Sequence, residues 1–412
     1  MHRDCPQDYA PSRVSTRVRV ALTTKQLSPA SLKKARLACR RWNHLAASVL
    51  WRLFKTDFRS TGRRDFNALL TSSEGGFLHS VRILHVRPSY RLSQNNLDMK
   101  LLQLLVSLPR NTLQKFIVTR DIDSSTLGLL IKRQPHLHEL SVRIHGSPPD
   151  SGYIAGNLSD LESLTVFVRF NQKGYDAWFP HAHSLKSLKV QGARLHGPSF
   201  TPWLTAQPLP NLSTLNLCGL TFAPSSGRVD RWLNLSKLTC LTIQNCFNLP
   251  EFLQDLREAY LGIPKDSLKT LVIEQNNKEA LEQRVSGLLD AIGDLDYLHI
   301  SVPTAKRIDV ACLNKHRALR CFVMDPLNAW DNELHILPHP QTHIYGAHMY
   351  DEKELSLLAK RCPNLEEFGT SLPMMSFDNW EHTKPFVWSP AGNRIAREAL
   401  LVKALVSTDL SV

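Results

Sequence analysis

The eight cysteines include no C-x-x-C pair, so zinc ribbons and redox dithiols lack the ligand spacing they need. No apolar run approaches the roughly 18 residues that cross a bilayer. The opening segment MHRDCPQDYAPSRVSTRVRVALTTKQ has no uninterrupted apolar stretch of the kind a secretory signal carries. Such a chain is expected in a reducing compartment, cytoplasmic or nuclear, with thiols that act as small hydrophobes. The Asn-Leu-Ser triplets at Asn157, Asn211 and Asn234 are then expected to stay unmodified. Also missing are G-x-x-x-x-G-K-[ST], G-x-G-x-x-G after a strand, G-x-S-x-G and H-E-x-x-H. Nucleotide-binding, hydrolytic and zinc-protease classes thereby lose their usual signatures, and a non-enzyme without a cofactor is expected. With 24 Pro and 18 Gly in 412 residues, collagen-like and low-complexity readings are excluded too.

Acid is scarce at one end only. Residues 1 to 64 hold 15 lysines and arginines against Asp4, Asp8 and Asp57, a balance of +12 out of +13 for the chain. Positions 65 to 412 are nearly neutral. Residues 1–26 read as a basic, disordered tail. A basic segment can bind phosphates by releasing counterions, and it can equally be one solvated helix face.

Leucine is in excess, with 65 residues or 15.8% of the chain. The leucines fall into a recurring pattern of apolar residue, two variable, apolar, one variable, apolar. It stands at Leu113/Phe116/Val118, Leu137/Leu140/Val142, Leu161/Leu164/Val166, Leu185/Leu188/Val190 and Leu212/Leu215/Leu217. Leu238/Leu241/Ile243, Leu268/Leu271/Ile273, Leu295/Leu298/Ile300 and Leu319/Phe322/Met324 continue it. A degenerate copy, Leu78/Val81/Ile83, opens the series, and Leu365/Phe368 closes it. From Leu113 to Leu319 the leading residues are 24, 24, 24, 27, 26, 30, 27 and 24 positions apart.

The physical reading is one short strand per repeat, with alternate residues on opposite faces. Each return must span at least about a dozen residues to set the next strand parallel. Apolar residues at three- and four-residue steps predict helical returns over Asp98–Ser107, Ser124–Arg133, Glu279–Ile292 and Asp351–Arg361. The prolines and glycines between 143 and 237 predict loops. In period and pattern residues 78–372 resemble leucine-rich repeat proteins. The implied fold class is α/β: a leucine-rich repeat solenoid of parallel strands with helix or loop returns.

Residues 28 to 54 read SPASLKKARLACRRWNHLAASVLWRLF. Ser28-Pro29 starts a helix, and Leu32, Ala35, Cys39, Trp42 and Ala46 form an apolar stripe on it. Leu45, Val49, Leu50 and Phe54 continue into a second short helix. Leu32, Ala38-Cys39 before Arg40 and Arg41, Trp42, Leu45 and Leu50-Trp51 resemble the second half of an F-box. The Leu-Pro and acidic segment with which an F-box begins is not found before Leu27, so residues 27–60 read as a partial F-box-like helical module. An F-box followed by leucine-rich repeats is similar to fungal F-box proteins. That resemblance implies an SCF-type ubiquitin ligase, with a Skp adaptor and a cullin as partners and with Leu32, Cys39, Trp42, Leu45, Leu50 and Trp51 forming the module's core and part of its face toward the Skp adaptor. The same residues also suit a helix capping the first repeat.

Recognition of a target is expected on the concave strand face. The column between the second and third apolar positions includes Thr165, Lys189, Asn216, Thr242 and His299, and its neighbour includes Phe167, Gln191 and Gln244. Both columns are mostly small or neutral, which does not make a phosphate-binding stripe. His335, His339, His343 and His348 crowd into 14 residues, but Pro338 and Pro340 break the helix that would align them. No metal is expected. Phe377, Trp380, Phe386 and Trp388 introduce residues 373–412, read as an aromatic segment and a capping helix. The expected function is a non-catalytic substrate-recognition adaptor with an unknown target protein and no membrane partner. The alternatives are a repeat scaffold without ligase connection, or a nucleic-acid-associated protein acting through its basic N-terminus.

Overall fold

The computed structural model describes residues 31, 34, 46, 49–56, 58, 78–88, 92–145, 158–168, 182–192, 209–222, 229, 233–262, 267–275, 281–302, 308–325, 352–370 and 386–387. The chain divides into two compact units, Met1–Leu161 and Glu162–Val412. The first carries β1 (Leu53–Thr56), β2 (Ile83–Val86), α1 (Gln94–Ser107), β3 (Lys115–Asp123), α2 (Ser124–Arg133) and β4 (Glu139–His145). The second opens with β5 (Ser163–Val168), β6 (Ser187–Gly192), β7 (Thr214–Cys218), β8 (Cys240–Gln244), α3 (Leu249–Leu261) and β9 (Thr270–Glu274). It continues with α4 (Glu282–Ala291), β10 (Tyr297–Ser301), a 3-10 helix (Val310–Lys315), β11 (Cys321–Asp325), α5 (Glu352–Arg361), β12 (Glu367–Thr370) and β13 (Phe386–Val387).

Within the first unit β1 to β4 pair parallel in chain order, and within the second β5 to β12 do the same. Among the described strands only β13 runs antiparallel, against β12. Registers align equivalent repeat positions, for example Leu215 with Leu241 and Leu241 with Leu271. Those residues and Leu217, Ile243 and Ile273 are buried, while their neighbours along each strand are half-buried on the other face. Burying one such leucine stabilises the fold by about 1.5–3 kcal/mol, and the repetition multiplies the effect.

A turn precedes several of the strands. The N–H of the leading residue donates three positions back: Val81 to Leu78, Leu161 to Leu158, Leu185 to Ala182, Leu238 to Leu235, and Leu365 to Cys362, at 3.1–3.3 Å. The residue accepting this bond is itself buried. The turn corrects the reading of the opening copy. Ile83 pairs with Lys115 and Leu84 with Phe116, so the repeat is Val81/Leu84/Val86, and Leu78 belongs to the turn before it. The shift arises because turn residue and leading residue are also three apart.

A second correction concerns Phe54, read as part of a short helix. Val49 and Leu50 are helical, but the chain turns at Trp51 and Phe54 lies buried in β1. Its alternate residues Leu53 and Lys55 are exposed, the period-2 pattern of a strand. Helical returns stand at all four expected places, and between Leu238 and Leu268, the longest spacing, α3 was not foreseen. Pro250 occupies its first turn, where proline is tolerated, and Phe252, Leu253, Leu256 and Tyr260 are buried. Residues 1–26 and most of the F-box-like and C-terminal segments lie outside the described residues.

Side chains supply hydrogen bonds between turns. Thr112 and Leu113 donate their N–H groups to Gln134 Oε1 at 2.8 and 3.0 Å, and Gln134 Nε2 donates to Pro109 O at 2.8 Å. His316, fully buried, does the same service: Leu295 N–H meets its Nδ1 at 3.3 Å, and Nε2 meets Leu289 O at 3.2 Å. Asn211 Nδ2 and Asn234 Nδ2 donate to His183 O and Pro210 O at 2.8 and 3.2 Å. The amides of two of the three Asn-Leu-Ser triplets are therefore engaged in the frame.

Two outcomes follow. A Cβ added to Gly128 in α2 would meet nothing within 4 Å, so Gly128→Ala is expected to stabilise the protein by about 0.5–1 kcal/mol through helix propensity, read from the urea midpoint. Burial lowers the pKa of His316, against smaller raising effects from Leu289 O, Asp294, Gly293 and Asp290. Above the unfolded value of about 6.5 both states are neutral; below it the unfolded chain takes the proton first, so stability falls. Urea midpoints should drop between pH 7 and 5.5, and drop less in His316→Gln.

Candidate protein-binding face

In the second unit the residues between the buried ones form three rows on the outward face. Nearest the strand starts are Ser163, Ser187, Thr214, Cys240, Thr270, Tyr297, Cys321 and Glu367. The middle row holds Thr165, Lys189, Asn216, Thr242, Val272, His299 and Val323, and the third holds Phe167, Gln191, Cys218, Gln244, Glu274, Ser301 and Asp325. All eight residues expected on the target-binding face therefore lie in the middle and third rows, which run about 6.6 Å apart along the strands, with neighbouring strands about 4.8 Å apart. Each is half-buried, which fixes its direction and leaves its end accessible.

The first row was missed. Its residues share the parity of the other two rows and sit one pair earlier on each strand. The alternation that selected Thr165 and Phe167 would have selected Ser163 as well.

Glu274 is held on this face. Gln244 Nε2 donates to Glu274 Oε2 at 2.7 Å, and His299 Nδ1 lies 3.8 Å from the other oxygen. Three strands thus orient one carboxylate. Lys189 is the cation of the described rows, against Glu274, Asp325 and Glu367, so this face leans acidic toward β12. Its chemistry is that of hydrogen bonding and packing.

Cys240, Cys246 and Cys321 of this unit are not activated thiols. Burial, then the hydrogen bond and charge of Glu367, push Cys321 up to about 12. Burial chiefly pushes Cys246 up to about 12 and raises Cys240. Nucleophilic cysteines need the opposite environment, with cations or helix N-termini nearby.

Of the F-box-like residues, Leu50 and Trp51 are half-buried where helix gives way to turn, directly before β1. Ser31 and Lys34 are helical and exposed, and Ala46 is helical and buried. Leu32, Cys39, Trp42 and Leu45 lie outside the described residues, as do His335, His339, His343, His348, Phe377, Trp380 and Trp388. Among the described residues no three His, Cys, Asp or Glu side chains gather as metal ligands, and no helix is long and apolar enough to cross a membrane.

Each unit is a leucine-rich repeat stack. Among solved structures the chain is similar to a leucine-rich repeat-containing protein, LegL7, from Legionella pneumophila, with 13% identity and a TM-score of 0.39 over 87% of this chain and 98% of that one. No family model matches the sequence, and no curated protein matches it.

At pH 8 a thiol at about 12 is ionised in roughly one molecule in ten thousand. Cys246 and Cys321 are accordingly expected to resist iodoacetamide in the folded protein and to react in urea, as peptide mass spectrometry would show.

Proposed function

We propose that the protein is a non-catalytic recognition subunit, whose repeats hold a target protein and whose N-terminal segment docks on the Skp adaptor of a cullin-based ubiquitin ligase. The observation that carries the binding half is the eight-stranded outward face of the second unit, where polar side chains stand in register with their ends accessible. Such rows suit a protein surface, because many adjacent small contacts supply complementarity while a few supply energy. The mechanism is proximity: a target held on one segment gains effective concentration near a ubiquitin-charged enzyme held by another.

The ligase half is supported by the F-box-like residues and by the way they join the repeats. Helical Val49 and Leu50 pass through one turn into β1, the Arg52 N–H donating to Val49 O at 3.3 Å. A partner bound to the module would thus be coupled closely to the first repeat.

The test follows from where β1 begins. Removing residues 27–48 spares β1 and is expected to abolish co-purification of the Skp adaptor while the circular dichroism of the repeats persists. Unchanged adaptor capture would refute the assignment. If the intact chain captures a target but never the adaptor, it is a repeat scaffold without ligase connection.

A further inference from the structure

The outward face of the first unit has a different chemistry. Lys55, His85, Ile117 and Ser141 form one row across β1 to β4, and Leu53, Ile83, Lys115 and Glu139 form the row before it. Arg87, one residue past β2, donates from Nε to His85 Nε2 at 2.9 Å. Lys115 and Arg143 each meet a carboxylate, Glu139 at 2.5 Å and Asp121 at 3.5 Å. Lys55 and Arg87 are exposed and meet none among the described residues. Leu53, beside them, is 42% exposed.

We propose that this face binds an extended acidic segment of a partner protein, its carboxylates against Lys55 and Arg87 and its aliphatic side chains on Leu53, Ile83 and Ile117. Charge complementarity selects the partner, since two adjacent strands present cations without counter-charge. The aliphatic residues interleaved with them favour a peptide over nucleic acid, which would set its phosphates against Glu139 and Asp121 and find no Phe, Tyr or Trp ring in these rows to stack on. The site goes beyond the ligase reading, because capture of the adaptor by residues 27–48 neither requires nor supplies it.

His85 gives the site a pH dependence. Burial, then Arg87, Lys55 and Lys115, lower its pKa. The other charged groups on the strands beside it are Arg120, Asp121 and Asp123 of β3. An anion bound at Lys55 and Arg87 opposes the cations that disfavour imidazolium, so binding takes up a proton and tightens as pH falls.

The experiment is fluorescence anisotropy of a labelled peptide of alternating Glu and Val titrated with the full chain. The peptide is expected to bind, and its Gln-Val counterpart is not. Lys55→Gln with Arg87→Gln should weaken binding about tenfold, as two exposed ion pairs allow. The charge-reversed chain, Lys55→Glu with Arg87→Glu, should instead take a Lys-Val peptide, a gain that misfolding could not produce. Affinity of the native chain should rise between about pH 7.5 and 5.5, and that rise should flatten in His85→Gln. Absent binding, equal binding of the Gln-Val peptide, or indifference to both double variants would overturn the proposal. So would tighter binding of an oligouridylate that the same substitutions abolish, which would assign the face to nucleic acid.

Discussion

Within each unit one backbone carbonyl per repeat locks a parallel strand to the next. Arg82 O accepts the N–H groups of Gln114 and Lys115, Gln114 O those of His138 and Glu139, and in the second unit Lys186 O, Ser213 O, Thr239 O, Lys269 O, Asp296 O and Arg320 O each accept two in the same way. A carbonyl has two lone pairs, so this satisfies it fully. Both donors come from the residues that open the next strand, so the lock sets register before any side chain does. Register then decides everything outward, because a one-residue slip would turn Leu215, Leu241 and Leu271 to the surface and bury Asn216, Thr242 and Val272 instead.

With the frame fixed by backbone, the two units differ in what they display. The first shows Lys55, His85 and Arg87 among aliphatic side chains; the second shows Ser, Thr, Asn and Gln, with Glu274 held between Gln244 and His299. The exposed ion pairs along the strand starts, Lys186 with Glu162 and Arg320 with Glu366 at 2.9 and 2.8 Å, carry opposite charges across neighbouring repeats. Such pairs are screened and contribute about 0–1 kcal/mol each. They are compatible with the stacking and do not drive it.

The strands from β3 to β11 were legible because one constraint, burial of alternate residues, writes a fixed spacing into the sequence. The helices at Ser124–Arg133 and Glu352–Arg361 were legible by their three- and four-residue steps. β1 was not, since four residues give too few alternations to tell Leu53-Phe54 from a helix face. Neither was the turn position, where leucine at Leu78 and Leu158 but glutamine at Gln134 and histidine at His316 answer one demand in different ways. Leu78 and Leu158 fill the space with hydrocarbon; Gln134 and His316 fill it and hydrogen-bond the neighbouring turn. A pattern that counts only apolar residues sees the first solution and overlooks the second. For the outward face the middle and third rows were found by parity, whereas Lys55 was read within the helical module of residues 27–60 and His85 and Arg87 were not singled out.

The same division of labour explains why the face residues vary so freely from repeat to repeat. Replacing Leu271 by alanine would cost about 2–5 kcal/mol in transfer and cavity terms, because the side chain is fully buried between two identical neighbours in register. A change at Thr242 or Lys189 meets partial solvent and touches no part of the carbonyl lock, so its expected cost lies within about 0.5 kcal/mol. Stability therefore places almost no demand on the outward rows. Their composition, cationic in one unit and neutral to acidic in the other, is therefore free to follow demands other than folding.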